Sequence, residues 1–132
     1  GYSKFGIIAP DNLYGKIITK QSIDLISTDK KKYYSSLFLS NEDLNNKTNL
    51  YSSLRRFLQY SKSEEKHTKF DAIFIGGRKD FILEIAPLLA FFNVDSRFVK
   101  ILGTENEEIG KRGYPDKIMP LYNHMHVDET TI

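Results

Sequence analysis

The sequence contains no cysteine, and it has no long apolar run. The absence of cysteine excludes disulfide bonds, thiolate catalysis and cysteine-ligated zinc sites. It fits an intracellular protein and equally a periplasmic protein that avoids thiols, so the compartment stays open. No apolar run approaches the roughly 18 residues that a membrane-spanning helix requires.

An excess of charge of one sign is also lacking. The chain of 132 residues has 19 basic and 17 acidic residues spread along it, and its formal net charge is +2. Without a strongly basic face, we expect no nucleic acid as a partner. The length is that of about one domain, which can bury roughly two-thirds of the surface that the unfolded chain exposes.

Familiar catalytic signatures are absent as well. The sequence has no G-x-S-x-G elbow, no H-E-x-x-H motif and no phosphate-binding loop. Asp11, Asp71 and Lys79 would suit a phosphoacceptor site, but Asp71 begins its predicted strand instead of ending it. His124 and His126 lack further metal ligands at a readable spacing. We therefore expect no catalytic activity, no metal and no cofactor.

The first half of the chain alternates between short apolar runs and amphipathic stretches. Phe5 to Ala9 predicts a strand buried on both faces. Asp11 or Asn12 suits the N-cap of a helix that runs to about Ser27. Tyr33 to Leu39 predicts a second strand, and its lower apolar content indicates a position near a sheet edge.

The same alternation continues in the second half. Ser40 with Asp43 resembles a capping box ahead of a helix with apolar positions at Leu50, Leu54, Phe57 and Leu58. The intervening "NNKTN" fits helix or loop. Asp71 to Ile75 predicts a third strand, and the next helix contains Pro87, where we expect a kink or a missing hydrogen bond. Val99 to Leu102 predicts a fourth strand.

Strands that alternate with helices predict an α/β fold, a three-layer αβα sandwich with a mainly parallel sheet and right-handed crossovers. Residues 1–105 form this predicted unit. Residues 106–132 lose all periodicity and receive no assignment. The polar stretch of residues 59–69 predicts an exposed connection.

Three predicted turns share the carboxyl edge of this sheet, where α/β proteins bind ligands: residues 10–15, 76–80 and 103–108. Gly76 and Gly77 fit a tight strand-to-helix turn, and they equally fit a turn that opens backbone amides to a ligand. Tyr14 fits a helix start, and Glu105 fits a solvated acid beyond a strand. Both sets of alternatives stay open at this point.

Two quoted stretches carry a family resemblance. "KFGIIAPDNLYGKIITK" resembles the opening of the second lobe of type I periplasmic binding proteins. "FDAIFIGG" followed by "IAPLLAFFNVDSRFVKILGTE" more closely resembles the alphaproteobacterial penicillin-binding protein activators, also labelled amino-acid ABC transporter substrate-binding proteins. The resemblance runs from Lys4 to Glu105. The tail from Asn106 departs from the family pattern, which continues with an aromatic-rich turn and a further strand.

This resemblance implies a periplasmic, often lipid-anchored, two-lobed clamshell without catalytic activity. The chain would then be one lobe, and we expect the second lobe elsewhere in the same protein. The start of the sequence, only three residues before an apolar run, agrees with a piece of a longer protein.

The resemblance also implies ligand-facing positions. They are Tyr14 in the first turn, Arg78 or Lys79 after the turn of Gly76 and Gly77, and Glu105 after the fourth strand, which would pair a ligand ammonium. An aromatic residue commonly follows the glycines in the family, whereas this chain has two cations. They would repel an ammonium and attract a carboxylate or an acidic partner surface.

Three functions follow as hypotheses. The leading one is a non-enzymatic envelope protein that regulates peptidoglycan synthesis by binding a penicillin-binding protein. The alternative is a solute-binding receptor of an ABC transporter for an amino acid or a short peptide. A third, weaker hypothesis is a small α/β enzyme with an unrecognised site.

Overall fold

The computed structural model describes residues 3–26, 32–58, 68–92, 94–95, 97–104 and 118–120. Within these ranges, strands and helices alternate. In chain order they are β1 (Lys4–Pro10), α1 (Leu13–Ile26), β2 (Tyr33–Leu39), α2 (Asn41–Asn45), α3 (Lys47–Phe57), β3 (Ala72–Ile75), α4 (Lys79–Phe91), β4 (Lys100–Thr104) and β5 (Ile118–Pro120).

The strands form one sheet in the order β2-β1-β3-β4-β5. The first four strands are parallel, and β5 is antiparallel to β4. The predicted α/β class with a mainly parallel sheet is confirmed. The expected edge position of β2 is also confirmed. β5 lies in the stretch that received no assignment from sequence.

Helices cover both faces of the sheet. Successive strand residues point to opposite faces, so Phe5, Ile7 and Phe74 pack with Ile26 of α1 on one face. The opposite face packs against α3 and α4, and its buried strand residues are Ile8, Leu39, Ile73, Ile75 and Ile101. The three-layer sandwich is therefore confirmed.

The strand order explains which helix lies on which face. The connection from β1 through α1 to β2 crosses the sheet in one direction, and the connection through α3 to β3 crosses it in the other. Right-handed crossovers in opposite directions place their helices on opposite faces. The step from β3 through α4 to β4 continues in the second direction, so α4 joins α3.

Polar side chains cap the starts of α2 and α3, the two helices between β2 and β3. The predicted capping box is present: the Ser40 hydroxyl accepts the Asp43 amide at 3.1 Å, and the Asp43 carboxylate accepts the Ser40 amide at 3.0 Å. Asn46 separates α2 from α3, and its side chain accepts the Asn49 amide at 3.1 Å. The ambiguous "NNKTN" stretch is therefore helical apart from Asn46, which forms the break between the two helices.

Helix α4 continues through Pro87, which is exposed. Proline has no amide hydrogen to donate to the carbonyl of Leu83, four residues earlier. The predicted loss of one helical hydrogen bond thus follows from the chemistry of proline. This loss does not end the helix, which continues to Phe91. The start of α4 at Lys79 places the preceding glycine turn directly at the end of β3.

Asp71 ties together the amino ends of three strands. Its amide donates to the Lys4 carbonyl at 2.8 Å, and its carbonyl accepts the Lys100 amide at 2.9 Å. Its carboxylate accepts the Ser3 amide at 3.0 Å, the Ser3 hydroxyl at 3.1 Å and the Lys4 amide at 3.0 Å. Asp71 lies at the sheet edge opposite Asp11, so the two carboxylates do not form a phosphoacceptor cluster.

These hydrogen bonds set the ionisation of Asp71. Desolvation favours the protonated form, but the backbone hydrogen bonds from Ser3 and Lys4, with the Ser3 hydroxyl, outweigh it and lower the pKa of the carboxyl. A lowered folded-state pKa means that the carboxylate stabilises the fold above the unfolded pKa of about 3.9. The contribution disappears as the pH falls through the folded-state pKa.

We predict that Asp71→Asn lowers the free energy of unfolding at pH 7 by about 1 kcal/mol, a modest value because solvent screens this partly exposed group. The difference from wild type should shrink as the pH falls below about 4. Urea denaturation of both proteins at a series of pH values measures this difference in the free energy of unfolding. Asp24→Asn, which removes only a surface ion pair of 3.7 Å with Lys20, is the matched control. A difference that does not change with pH would contradict the assignment.

Candidate functional site

The strand order creates a switch point at the carboxyl edge of the sheet. β1 and β3 are neighbours, yet α1 leaves β1 toward one face and α4 leaves β3 toward the other. Open α/β sheets bind ligands in the crevice that forms where two connections diverge in this way. The turns that follow β1 and β3 therefore line the candidate site.

The turn after β1 is fixed by backbone and side-chain hydrogen bonds. The Asn12 side chain accepts the Gly15 amide at 2.8 Å, so Asn12 takes the capping role that sequence assigned to it or to Asp11. The Asp11 amide donates to the Leu39 carbonyl at 2.8 Å, which links the turn to β2. These contacts hold Tyr14, which is half-buried, in the first turn of α1.

Gly15 allows α1 to begin very close to the end of β1. A Cβ atom at this position would lie 1.8 Å from the carbonyl oxygen of Pro10. No other residue fits without moving the helix. In the sequence, the only signal for this role of Gly15 is the "YG" pair of Tyr14 and Gly15 in "KFGIIAPDNLYGKIITK".

The glycine turn after β3 serves the packing of both helices. A Cβ atom on Gly76 would lie 2.4 Å from Cγ2 of Ile18 in α1, and one on Gly77 would lie 2.5 Å from Cδ2 of Phe81 in α4. Neither glycine has a φ in the left-handed region. Close approach of the helices, and not an unusual backbone conformation, thus requires glycine at both positions. Binding of a ligand by this turn stays a prediction.

Tyr14 and Arg78 meet at the switch point. The Arg78 guanidinium lies over the Tyr14 ring, with its Cζ 4.7 Å from the ring centroid. Arg78 is the N-cap residue of α4 and makes no side-chain capping hydrogen bond. Such a contact contributes about 0.5–1 kcal/mol at an exposed site, and it favours a position of the guanidinium beside the ring.

The other predicted site residues are placed as follows. Gly76 and Gly77 directly precede Arg78, so the structure brings both glycines to the same turn as the cation. Lys79 is the exposed first residue of α4. Glu105 lies outside the described residues.

The carboxylates near the crevice have partners of their own. Asp11 lies 3.4 Å from the Lys16 ammonium, and the Asp80 carboxylate accepts the Phe81 amide at 2.9 Å. Among the described residues, Arg78 forms no salt bridge. A crevice with this arrangement can bind an anionic group through the edge of the guanidinium.

The described part of the chain contains no group of three or more potential metal ligands from His, Cys, Asp or Glu. His124 and His126 lie outside that part. No helix within it has both the length and the apolar character to cross a membrane.

Comparisons with known proteins gave no match: no family model, no curated protein and no solved structure corresponds to this chain. The resemblance to type I periplasmic binding proteins therefore stays a prediction.

We predict that Gly76→Ala lowers the free energy of unfolding by about 1–3 kcal/mol, because the new methyl group overlaps the buried Ile18 side chain. Ile18→Ala removes Cγ2, so the two substitutions together should cost less than the sum of their separate effects. Denaturant unfolding of the double-mutant cycle measures this coupling.

Gly77→Ala is the matched control for this cycle. It adds the same methyl group one residue away, but against Phe81. Combining Gly77→Ala with Ile18→Ala should give additive effects. Equal coupling for both glycines would show that the packing assigned to Gly76 is wrong.

Proposed function

We propose that this chain is a ligand-binding lobe of a two-lobed, non-enzymatic protein of the periplasmic-binding-protein type. Of the functions that the resemblance implies, this geometry favours the receptor for an amino acid or a short peptide. The observation that carries the proposal is the Arg78 guanidinium stacked on the Tyr14 ring at 4.7 Å, at the switch point between β1 and β3. A periplasmic location is part of the same proposal.

The ligand group assigned to this lobe is a carboxylate. The Arg78 guanidinium lies over the Tyr14 ring and forms no salt bridge among the described residues, so its N–H groups can bind two carboxylate oxygens as a fork. Lys79, one residue further on, adds a second positive charge at the same turn. Two cations favour the carboxylate end of an amino acid or peptide over its ammonium end.

Glu105 completes the proposal. It directly follows Thr104, the last residue of β4, in the sequence. The proposal assigns to Glu105 the ligand ammonium, which the cations of the glycine turn would repel. The second lobe would close over the ligand from the other side.

A thermal-shift screen of the intact two-lobed protein against amino acids, short peptides and muropeptide fragments tests this function. A ligand that binds only the native state raises the free energy of unfolding by about 2.7 kcal/mol when its concentration is a hundred times the dissociation constant. For any compound that gives a saturable shift, we predict that Arg78→Ala and Tyr14→Ala each weaken binding more than about tenfold, or over about 1.4 kcal/mol, by calorimetry.

Arg56→Ala is the matched control, because Arg56 is an exposed arginine in the last turn of α3. It removes the same charge from a place away from the crevice, so the affinity should change little. A flat screen would count against the receptor function. Equal losses for Arg56→Ala and Arg78→Ala would show that only the net charge matters.

A second candidate function rests on the outer face of α4. This helix exposes apolar side chains away from the sheet, with Leu83 50% and Phe91 67% exposed, beside the exposed Pro87 and Ala90. Exposed apolar patches on folded proteins commonly mark sites of protein contact. We propose that, if the chain regulates peptidoglycan synthesis, α4 is the surface that contacts a penicillin-binding protein.

For this second candidate we predict that Leu83→Asp weakens binding to a purified penicillin-binding protein by at least about tenfold, because it places a charge in an apolar contact. Biolayer interferometry measures the affinity. Leu25→Asp is the matched control, since Leu25 is 62% exposed on α1, on the opposite side of the sheet. No binding, or equal losses for both variants, would count against α4 as the contact surface.

A further inference from the structure

The outer edge of β2 is open in the part of the chain that the structure describes. β2 is the first strand of the sheet order, and its described neighbour is β1 alone. Its seven residues, YYSSLFL, include no proline and no charge. The opposite edge strand, β5, has three residues and ends at Pro120. Short edge strands and prolines protect a sheet edge from pairing, and β2 has neither protection.

Two hydrogen bonds show which backbone groups of β2 point outward. The Tyr33 amide donates to the Ser3 carbonyl at 2.8 Å, and the Leu39 carbonyl accepts the Asp11 amide at 2.8 Å, so these two residues face β1. Alternate residues of a strand direct their backbone groups to opposite edges. Tyr34, Ser36 and Phe38 therefore present their amides and carbonyls to the open side.

Lys32 and Lys16, two lysines that the structure describes near β2, do not shield this edge. The Lys32 ammonium lies 5.3 Å from the centroid of the Phe5 ring, which places it over β1. The Lys16 ammonium lies 5.1 Å from the centroid of the Phe38 ring, on the α1 face of the sheet. Both charges thus lie toward the faces of the sheet, and no described strand pairs with the outward backbone groups of β2.

We propose that two copies of this chain associate through β2, paired antiparallel about a twofold axis at Ser36, so that the two sheets become one. Ser36 pairs with Ser36 of the second copy, and Tyr34 pairs with Phe38 of the second copy. Each outward pair exchanges two bonds in an antiparallel ladder, which gives about six backbone hydrogen bonds across the axis.

The second copy is the occupant because β2 is complementary to itself in this register. The strand places Tyr34 opposite Phe38, and aromatic cross-strand pairs are favourable. Lys32 precedes the strand, and the acidic residues Glu42 and Asp43 follow it. An antiparallel pair brings Lys32 of each copy opposite Ser40 of the other, and its ammonium, which lies over Phe5 in the single chain, would turn toward that acidic turn, so that opposite charges meet at both ends.

This inference does not rest on the proposed function, and its test uses the 132-residue chain without ligand. Sedimentation equilibrium over a concentration series should show a reversible dimer. Ser36→Pro should raise the dimer dissociation constant at least about tenfold, because it removes an outward amide at the axis. The amide of Ser36 does not face β1, so the fold should persist, which circular dichroism and thermal melting check. Ser36→Ala, with its amide intact, is the matched control.

A charge exchange gives a second test that leaves the β2 backbone unchanged. Lys32→Glu should weaken the dimer, and Lys32→Glu combined with Glu42→Lys should restore it, since each copy then offers the opposite charges in the same places. A monomer at every concentration would overturn the proposal and would indicate that another part of the chain covers the edge. A dimer that Ser36→Pro leaves unchanged would overturn it in favour of another surface, such as the outer face of α4.

Discussion

The close approach of two helices to the ends of β1 and β3 is the constraint on which the candidate site depends. Gly15 lets α1 begin against the Pro10 carbonyl, and Gly76 lets Ile18 of α1 pack at the end of β3. Gly77 gives the same freedom to Phe81 of α4. A side chain at any of these positions would push a helix away from the sheet, because protein interiors do not absorb even one extra methyl group without cost.

This packing has a direct consequence for recognition. With both helices held against the strand ends, the first turn of α1 and the N-cap of α4 lie close enough for Arg78 to stack on Tyr14. The cation is then oriented by packing, so less rotamer freedom is lost when a ligand binds. The glycines thus act through the geometry that they permit, and the function proposed for the crevice depends on that geometry.

The two ends of the sheet have different roles. At the amino ends of the strands, the Asp71 carboxylate and backbone connect β1, β3 and β4 through hydrogen bonds. At the carboxyl ends, the chain gives cations and a stacked ring to the crevice. The lateral edge at β2 is a third feature, where backbone groups of an uncharged strand point outward. The sheet therefore separates three features: the Asp71 hydrogen bonds at the amino ends of the strands, the crevice at the carboxyl ends, and the lateral edge at β2.

Sequence by itself determined the α/β class, the edge position of β2 and the capping box at Ser40, because apolar periodicity and capping chemistry are local properties. The sequence also predicted that the turns containing Tyr14 and Arg78 lie at the same edge of the sheet. Only the tertiary structure decided that they stack, that the glycines accommodate Ile18 and Phe81, and that β5 pairs with β4. Apart from the contact of Gly77 with Phe81, these contacts join residues far apart in the chain, so no local sequence pattern predicts them. The strand order and the approach of the helices determine them.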